Sequence, residues 1–183
     1  MSYKTILVHL DDRGRRAERL QVGFNLAWSF DAHLVALFAP DAAYIPSYAL
    51  AEGGATMQEF EWRRRQEAAA QAESEFRQVE RRAGDKAEWR LSMDGALAAV
   101  SLSARYADLV VAAQPEPGDG RARAFAGQLV LSVGRPMLFV PYAGRFPAVG
   151  KRVLVAWNAS REAARAVRDA LPFLTRAESV ELV

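Results

Sequence analysis

Cysteine is absent from the 183 residues, and histidine occurs only twice. Without a thiol there is no disulfide framework, no thiolate metal site and no cysteine nucleophile, so any chemistry has to use other groups. A reducing compartment is compatible with that. Apolar runs of membrane-spanning length are missing too, so no membrane span is expected. The opening residues pass through Thr5-Ile6-Leu7-Val8, too short a run for a secretory leader, and reach Asp11 and Asp12 at once. The expected location is the cytoplasm. Charge of one sign is also lacking: 24 Lys+Arg stand against 22 Asp+Glu. Although the isoelectric point is about 9.1, no face is basic enough to argue for nucleic acid. There is no Walker loop, no Gly-x-Gly-x-x-Gly opening and no Gly-x-Ser-x-Gly elbow, which leaves hydrolase and dehydrogenase readings without a warrant.

What is present suffices for a packed core. Hydrophobic residues make up 51% and charged ones 25%, which sets the chain apart from disordered sequences. Its length falls between one average domain and two. Residues 5–10 read as a short strand ending in two carboxylates. Beyond the charged stretch 13–19, Ala17, Leu20, Phe24 and Ala27 recur at steps of three and four, placing an apolar stripe on a helix of about fifteen residues. A second strand-like run, 33–38, follows directly. Strand, helix and strand in such a short span make a βαβ unit with parallel strands and a right-handed crossover.

Residues 39–54 are punctuated by Pro40, Pro46, Gly53 and Gly54 and read as a loop. Residues 56–83 hold neither proline nor glycine and are rich in Glu, Arg, Gln and Ala, which predicts a long helix stopped by Gly84. Phe60, Ala68 or Ala69, Ala72, Phe76 and Val79 can line its buried side, while the interleaved Arg and Glu read as a solvated face rather than a nucleic-acid patch. Next come a short strand at 88–91, an N-cap at Ser92 or Asp94, and an alanine-rich helix at 96–106. The continuous apolar run 109–113 is the expected central strand. Residues 114–120 form a loop, 125–133 a helix ended by Gly134-Arg135-Pro136, 137–140 a fifth strand and 141–150 a linker. Five strands with intervening helices make a doubly wound α/β domain over residues 1–146.

The pattern then restarts. With Lys151 set on Lys4, the residues Ile6, Leu7, Val8 and Leu10 fall on Val153, Leu154, Val155 and Trp157. The stripe Ala17, Leu20, Phe24 and Ala27 falls on Ala164, Val167, Leu171 and Leu174. With one residue dropped, Leu34, Ala36 and Leu37 correspond to Val180, Leu182 and Val183. Residues 147–183 thus read as the first βαβ unit of a second, incomplete domain. Ser160 is the N-cap expected for its helix, and Pro172 should kink that helix or mark its last turn. Such a piece cannot bury both faces of two parallel strands unaided. Either the sequence is the front part of a tandem protein, or the piece docks on the first domain or on another chain.

Three stretches, Ile6-Leu7-Val8-His9-Leu10-Asp11, Ala107-Asp108-Leu109-Val110-Val111 and Gly134-Arg135-Pro136-Met137-Leu138-Phe139-Val140-Pro141, together resemble the universal stress protein family. Residues 153–160 resemble its opening motif again, as in the tandem form with two such domains. The resemblance implies a five-stranded parallel sheet in the order 3-2-1-4-5, of the adenine nucleotide alpha hydrolase-like type. It also implies, in many members, ATP at the carboxyl ends of strands 1 and 4, where strand order reverses and a crevice opens. The acidic residue that contacts the adenosine side falls on Asp11. The family's phosphate loop, Gly-x2-Gly-x9-Gly-Ser/Thr, lets backbone N–H groups approach the oxygens. Here that loop is degraded. Anchored on the end of strand 4, its first two glycines fall on Ala113 and Glu116; anchored on Ser132, its glycines fall on Gly118, Arg121 and Leu131. Pro115 and Pro117 remove donors, and Glu116 would repel a triphosphate.

The candidate nucleotide site is therefore Asp11, Ala113, Gln114, Gly118 and Ser132, with no catalytic residue and no metal ligand assigned. In the second copy Asn158 replaces the acidic residue. The implied function is a non-catalytic binding or regulatory module in a stress response, forming a homo-oligomer through the exposed edge strand at 137–140. Two alternatives stay open: an ATP-binding protein with slow hydrolysis using Asp11, Ser132 and backbone donors of residues 114–121, or a binder of another small ligand in the same crevice. Asp11 and Asp12 as a metal pair lack a third acidic ligand nearby, and His9 and His33 read as structural. Tyr44, Tyr48 and Trp89 are the aromatic residues placed to shape a ligand crevice or to pack over the sheet edge.

Overall fold

Runs rich in Leu, Ile, Val and Ala, buried on both faces, make parallel strands rather than half-wet antiparallel ones. In the computed structural model, which describes residues 2–41, 54–83 and 86–183, they do so in chain order. The elements are β1 (Thr5–Leu10), α1 (Arg16–Phe30), β2 (His33–Phe38), α2 (Gly54–Ala83), β3 (Ala87–Leu91), α3 (Ala96–Ala104), β4 (Leu109–Ala113), α4 (Gly120–Val133) and β5 (Met137–Val140). Then come β6 (Arg152–Val155), α5 (Arg161–Leu174) and β7 (Ser179–Leu182). The first five strands form one sheet in the order β3-β2-β1-β4-β5, parallel at every pairing. This is the doubly wound α/β architecture expected from the sequence. Strands β6 and β7 form a separate parallel pair.

Alternate residues of the strands feed two cores. Ile6, Val8, Leu10, Leu34 and Phe38 pack with α1 and α2, through Leu20, Phe24 and Phe76 among others. Leu7, Val35, Leu37 and Val110 pack on the other face with Val100 of α3 and Leu129 of α4. Helix α1 lies close on the sheet at Gly23, where a Cβ would stand 2.4 Å from Val8 Cγ2. Trp89 packs: its ring stacks on Phe38 at 6.3 Å and meets Phe76 at 5.6 Å. Tyr44, Tyr48 and Gly84 lie outside the described residues.

Several local expectations need correction. Ala17 is exposed, whereas Arg16 and Arg19 are buried, because the first turn of α1 lies against the end of β1 rather than over the sheet. Phe60 is 62% exposed, since the 30-residue α2 is twice the length of α1 and its first turns run past the sheet. Neither Ser92 nor Asp94 caps α3; the N-cap is Gly95, without a side-chain bond. Helix α4 starts at Gly120 instead of 125, because Asp119 caps it. In α5, Ala164 and Leu171 are exposed, and the residue that docks the helix is Phe173, off the anticipated stripe.

The C-terminal unit rests on the amino-terminal end of the first sheet. Phe173 meets Tyr3 at 5.5 Å and Phe30 at 5.3 Å, and Tyr3 packs edge-on against Phe30 at 5.0 Å. The Tyr3 hydroxyl donates to the Asp169 carbonyl at 2.7 Å. Burial first, and then the Asp169 carboxylate, push its pKa up to about 12. Arg176 lies over the Phe30 ring at 4.5 Å and donates to the Ser29 carbonyl. Ser160 caps α5 as expected, accepting from Ala163 N at 3.1 Å, and Pro172 falls in its last turn. The connecting segment is held on the way: Asn25 donates to the Pro147 carbonyl, and Phe146 and Val149 pack against the first core.

Candidate functional site

Between β1 and β4 the crossovers run to opposite sides of the sheet, so the loops leaving these two strands diverge and leave a gap. A crevice of about 340 Å³ occupies it. Ala112, Phe125, Leu129 and Val140 give it apolar walls, and Asp11, Arg13, Arg19, Gln114, Glu116 and Asp119 supply the polar groups. Of the residues singled out in the sequence, Asp11, Ala113 and Gln114 line this crevice. Gly118 sits in the exposed turn before α4, and Ser132 in the last turn of α4, at the far end of that helix from the crevice. The structure therefore brings three of the five together.

Asp11, at the end of β1, is buried, and its Oδ1 accepts from Arg19 Nη2 at 2.5 Å and from the Arg13 N–H at 3.3 Å. Burial works to raise its carboxyl, but Arg19, His9 and Arg13 outweigh that and hold it below the ordinary value. Arg16, also buried, donates to the Asp11 carbonyl and to Glu75 Oε1, each at 3.3 Å. Asp12 turns the other way, to Arg64 Nη2 at 2.8 Å, so the adjacent carboxylates serve different cations. Arg13 reaches Asp41 at 3.2 Å and Asp119 at 3.9 Å.

On the opposite wall Asp119 is the N-cap of α4, with Oδ1 accepting from Ala122 N at 2.8 Å. A carboxylate there already supplies the negative charge that a helix N-terminus favours. His9 is buried in β1; its Nε2 lies 2.9 Å from the Ala39 carbonyl and its ring 5.6 Å from that of Phe125. Burial, the largest influence, keeps the imidazole below its ordinary pKa despite the opposing pull of Asp11. The His9 Nε2 donates to the Ala39 carbonyl, which can only accept. His33 stands at the exposed start of β2, 3.6 Å from Glu88.

Sequence reasoning missed Arg19 and Asp119. The signal for Arg19 was its spacing: with Gly23, Leu26 and Phe30 it falls on one helix face, an arginine on an apolar stripe. For Asp119 the signal was an Asp just before a run without proline, a plain N-cap pattern.

No family model matches the chain, and no curated protein does. Among solved structures it is similar to the universal stress protein UspA from Lactobacillus plantarum, at 20% identity and a TM-score of 0.56 over 76% of this chain and 99% of that one. That likeness is one of fold. Two further similar structures are a universal stress protein in complex with cAMP (17% identity, TM-score 0.49, 78% of this chain and 100% of that one) and the universal stress protein from Archaeoglobus fulgidus in complex with dAMP (19%, 0.45, 76% and 98%).

Proposed function

We propose that this chain is a non-catalytic binding or regulatory module of the universal stress protein kind, serving a stress response, whose crevice does not take ATP as the family's phosphate loop does. The observation that carries this is that the chain's own groups occupy both charged walls of the crevice. Arg19 neutralises Asp11, and Asp119 caps the N-terminus of α4. A triphosphate entering there has to displace a carboxylate from a helix end and lie near Glu116, while Pro115 and Pro117 offer it no N–H. Equilibrium titration with labelled ATP tests the reading: no saturation at millimolar ATP is expected. Micromolar affinity abolished by Asp11→Asn in a variant that still folds would instead establish an ATP binder, and release of inorganic phosphate would carry that on to the alternative with slow hydrolysis.

A second reading has its own support. At about 340 Å³ the crevice reaches the lower end of small-ligand sites, and its alanine, phenylalanine and leucine walls suit a ligand with an apolar part. Mass spectrometry of small molecules released from the purified chain checks for one.

Residues 147–183 belong to this proposal as the first βαβ unit of a second domain. The register Arg152 to Ser179 repeats that of Thr5 to His33, which supports the duplication. Homo-oligomerisation through Met137–Val140 is part of the same proposal, supported by the place of β5 at the outer edge of the sheet.

A further inference from the structure

Sorted by partner, the charged groups of the crevice leave two unanswered. Arg19 is paired with Asp11, and Arg13 with Asp41 and Asp119. Arg15, the N-cap residue of α1, finds only a neutral acceptor, the Gly144 carbonyl, and has no carboxylate partner among the described residues. On the facing loop Glu116 lines the crevice with no cation paired to it among the described residues, exposed between two prolines that stiffen its backbone. Over the whole lining, Arg13, Arg15 and Arg19 balance Asp11, Glu116 and Asp119, so the crevice carries no net charge.

That balance discriminates among ligands. A polyanion meets as much repulsion as attraction. A lone carboxylate comes to rest near Glu116 and a lone amine near Arg15, and in either case a charge leaves water with only half of its surroundings in its favour. A small molecule with one group of each sign answers both lips at once. Arg15 and Glu116 are both exposed, with long side chains that can turn onto one such molecule.

An orphaned donor sets which way round it lies. Arg19 lines the crevice and is 3% exposed, yet its Nε has no acceptor among the described residues. A buried N–H left without an acceptor is costly, and an anionic oxygen brought in on the α1 side supplies one. Glu116, the acceptor, stands across from it on the loop that follows β4. Between the two lips the walls are Ala112, Phe125, Leu129 and Val140, which suit an apolar chain.

Resting on the reading of this crevice as a small-ligand site, we propose that it holds a free α-amino acid with an apolar side chain. The carboxylate lies toward Arg15 and the Arg19 Nε, the ammonium on Glu116, and the side chain against Phe125 and Leu129. No existing ion pair has to open, because the ligand uses only groups that the chain leaves free.

Calorimetric titration of the purified, dialysed chain with L-leucine and L-phenylalanine tests this, with ATP as the comparison. Saturable binding in the sub-millimolar range is expected. Isocaproate, which is leucine without its ammonium, and isoamylamine, which is leucine without its carboxylate, should each bind weaker than leucine by about tenfold or more. Arg15→Gln and Glu116→Gln should each cost about tenfold in leucine affinity, with thermal melts checking that both variants are folded, and Arg15→Lys should keep most of it. Either singly charged analogue binding as tightly as leucine overturns the amino-acid assignment while leaving the crevice a small-ligand site. Indifference to both Gln variants overturns it as well, as does the failure of both amino acids to bind at millimolar concentration. Saturation by ATP at micromolar concentration would instead overturn the proposed function itself.

Discussion

Arg19 Nη2 lies 2.5 Å from Asp11 Oδ1, with both side chains almost wholly out of water. Removing either member leaves the other charge buried and uncompensated. Asp11→Ala is therefore expected to cost about 3–5 kcal/mol in urea unfolding. Asp11→Ala combined with Arg19→Leu should cost less than the sum of the two single changes. A loss well under about 1 kcal/mol for Asp11→Ala, the range of exposed pairs, would mean the pair is solvated.

Acid should weaken the fold in two steps. Burial holds the His9 pKa down, so the unfolded chain takes up a proton near 6.5 that the folded chain refuses until lower pH; stability is full above that value and falls below it. Asp11 is held below its ordinary 3.8, so its contribution is full above that pH and is lost on further acidification. Urea midpoints measured across the acid range should show both steps. His9→Gln, which keeps a side-chain N–H for the Ala39 carbonyl, should flatten the upper one only.

Gly23→Ala places a methyl 2.4 Å from Val8 Cγ2 and 3.1 Å from Leu34 Cδ1, so α1 has to lift from the sheet. A cost of about 1–3 kcal/mol in the thermal or urea transition is expected. Gly127→Ala in α4, where a Cβ meets nothing within 4 Å, should instead stabilise by up to about 1 kcal/mol.

Phe173→Ala should undock the C-terminal unit while leaving the first sheet folded. Hydrogen exchange should speed up in β6, α5 and β7 and stay unchanged in β1 and β4. Tyr3 reports the same event, because its phenol, held at about 12 while docked, should titrate nearer the ordinary value of about 10 once free. An unchanged Tyr3 titration would mean that Phe173 is not the anchor.

The succession of strands and helices was legible in the sequence because it rests on periodicity, since buried parallel strands such as Leu109–Ala113 have to be apolar throughout. The strand order and the place of the crevice came instead with the resemblance to the universal stress protein family. The electrostatics of the site were not legible. Arg19 and Asp119 count in one dimension as ordinary charges, and only the fold brings Arg19 to Asp11 and turns Asp119 onto the Ala122 N–H. Ser132 fails to reach the crevice because α4 has its Asp119-capped start there and carries the chain away, leaving the serine in its last turn. Docking through Phe173 was hidden because the stripe carried over from α1 runs through Leu171 and Leu174, whereas the residue between them meets Tyr3 and Phe30.

Residues 141–151 separate β5 from β6, and a segment of that length reaches at most about 40 Å when fully extended. Even with its aromatic seat released, the C-terminal unit stays close to it, at a local concentration in the millimolar range. A contact too weak to hold two separate molecules together is enough to hold this one shut. Undocking should thus be brief and reversible, so that loss of Phe173 converts a resident unit into a tethered one without separating it from the first sheet.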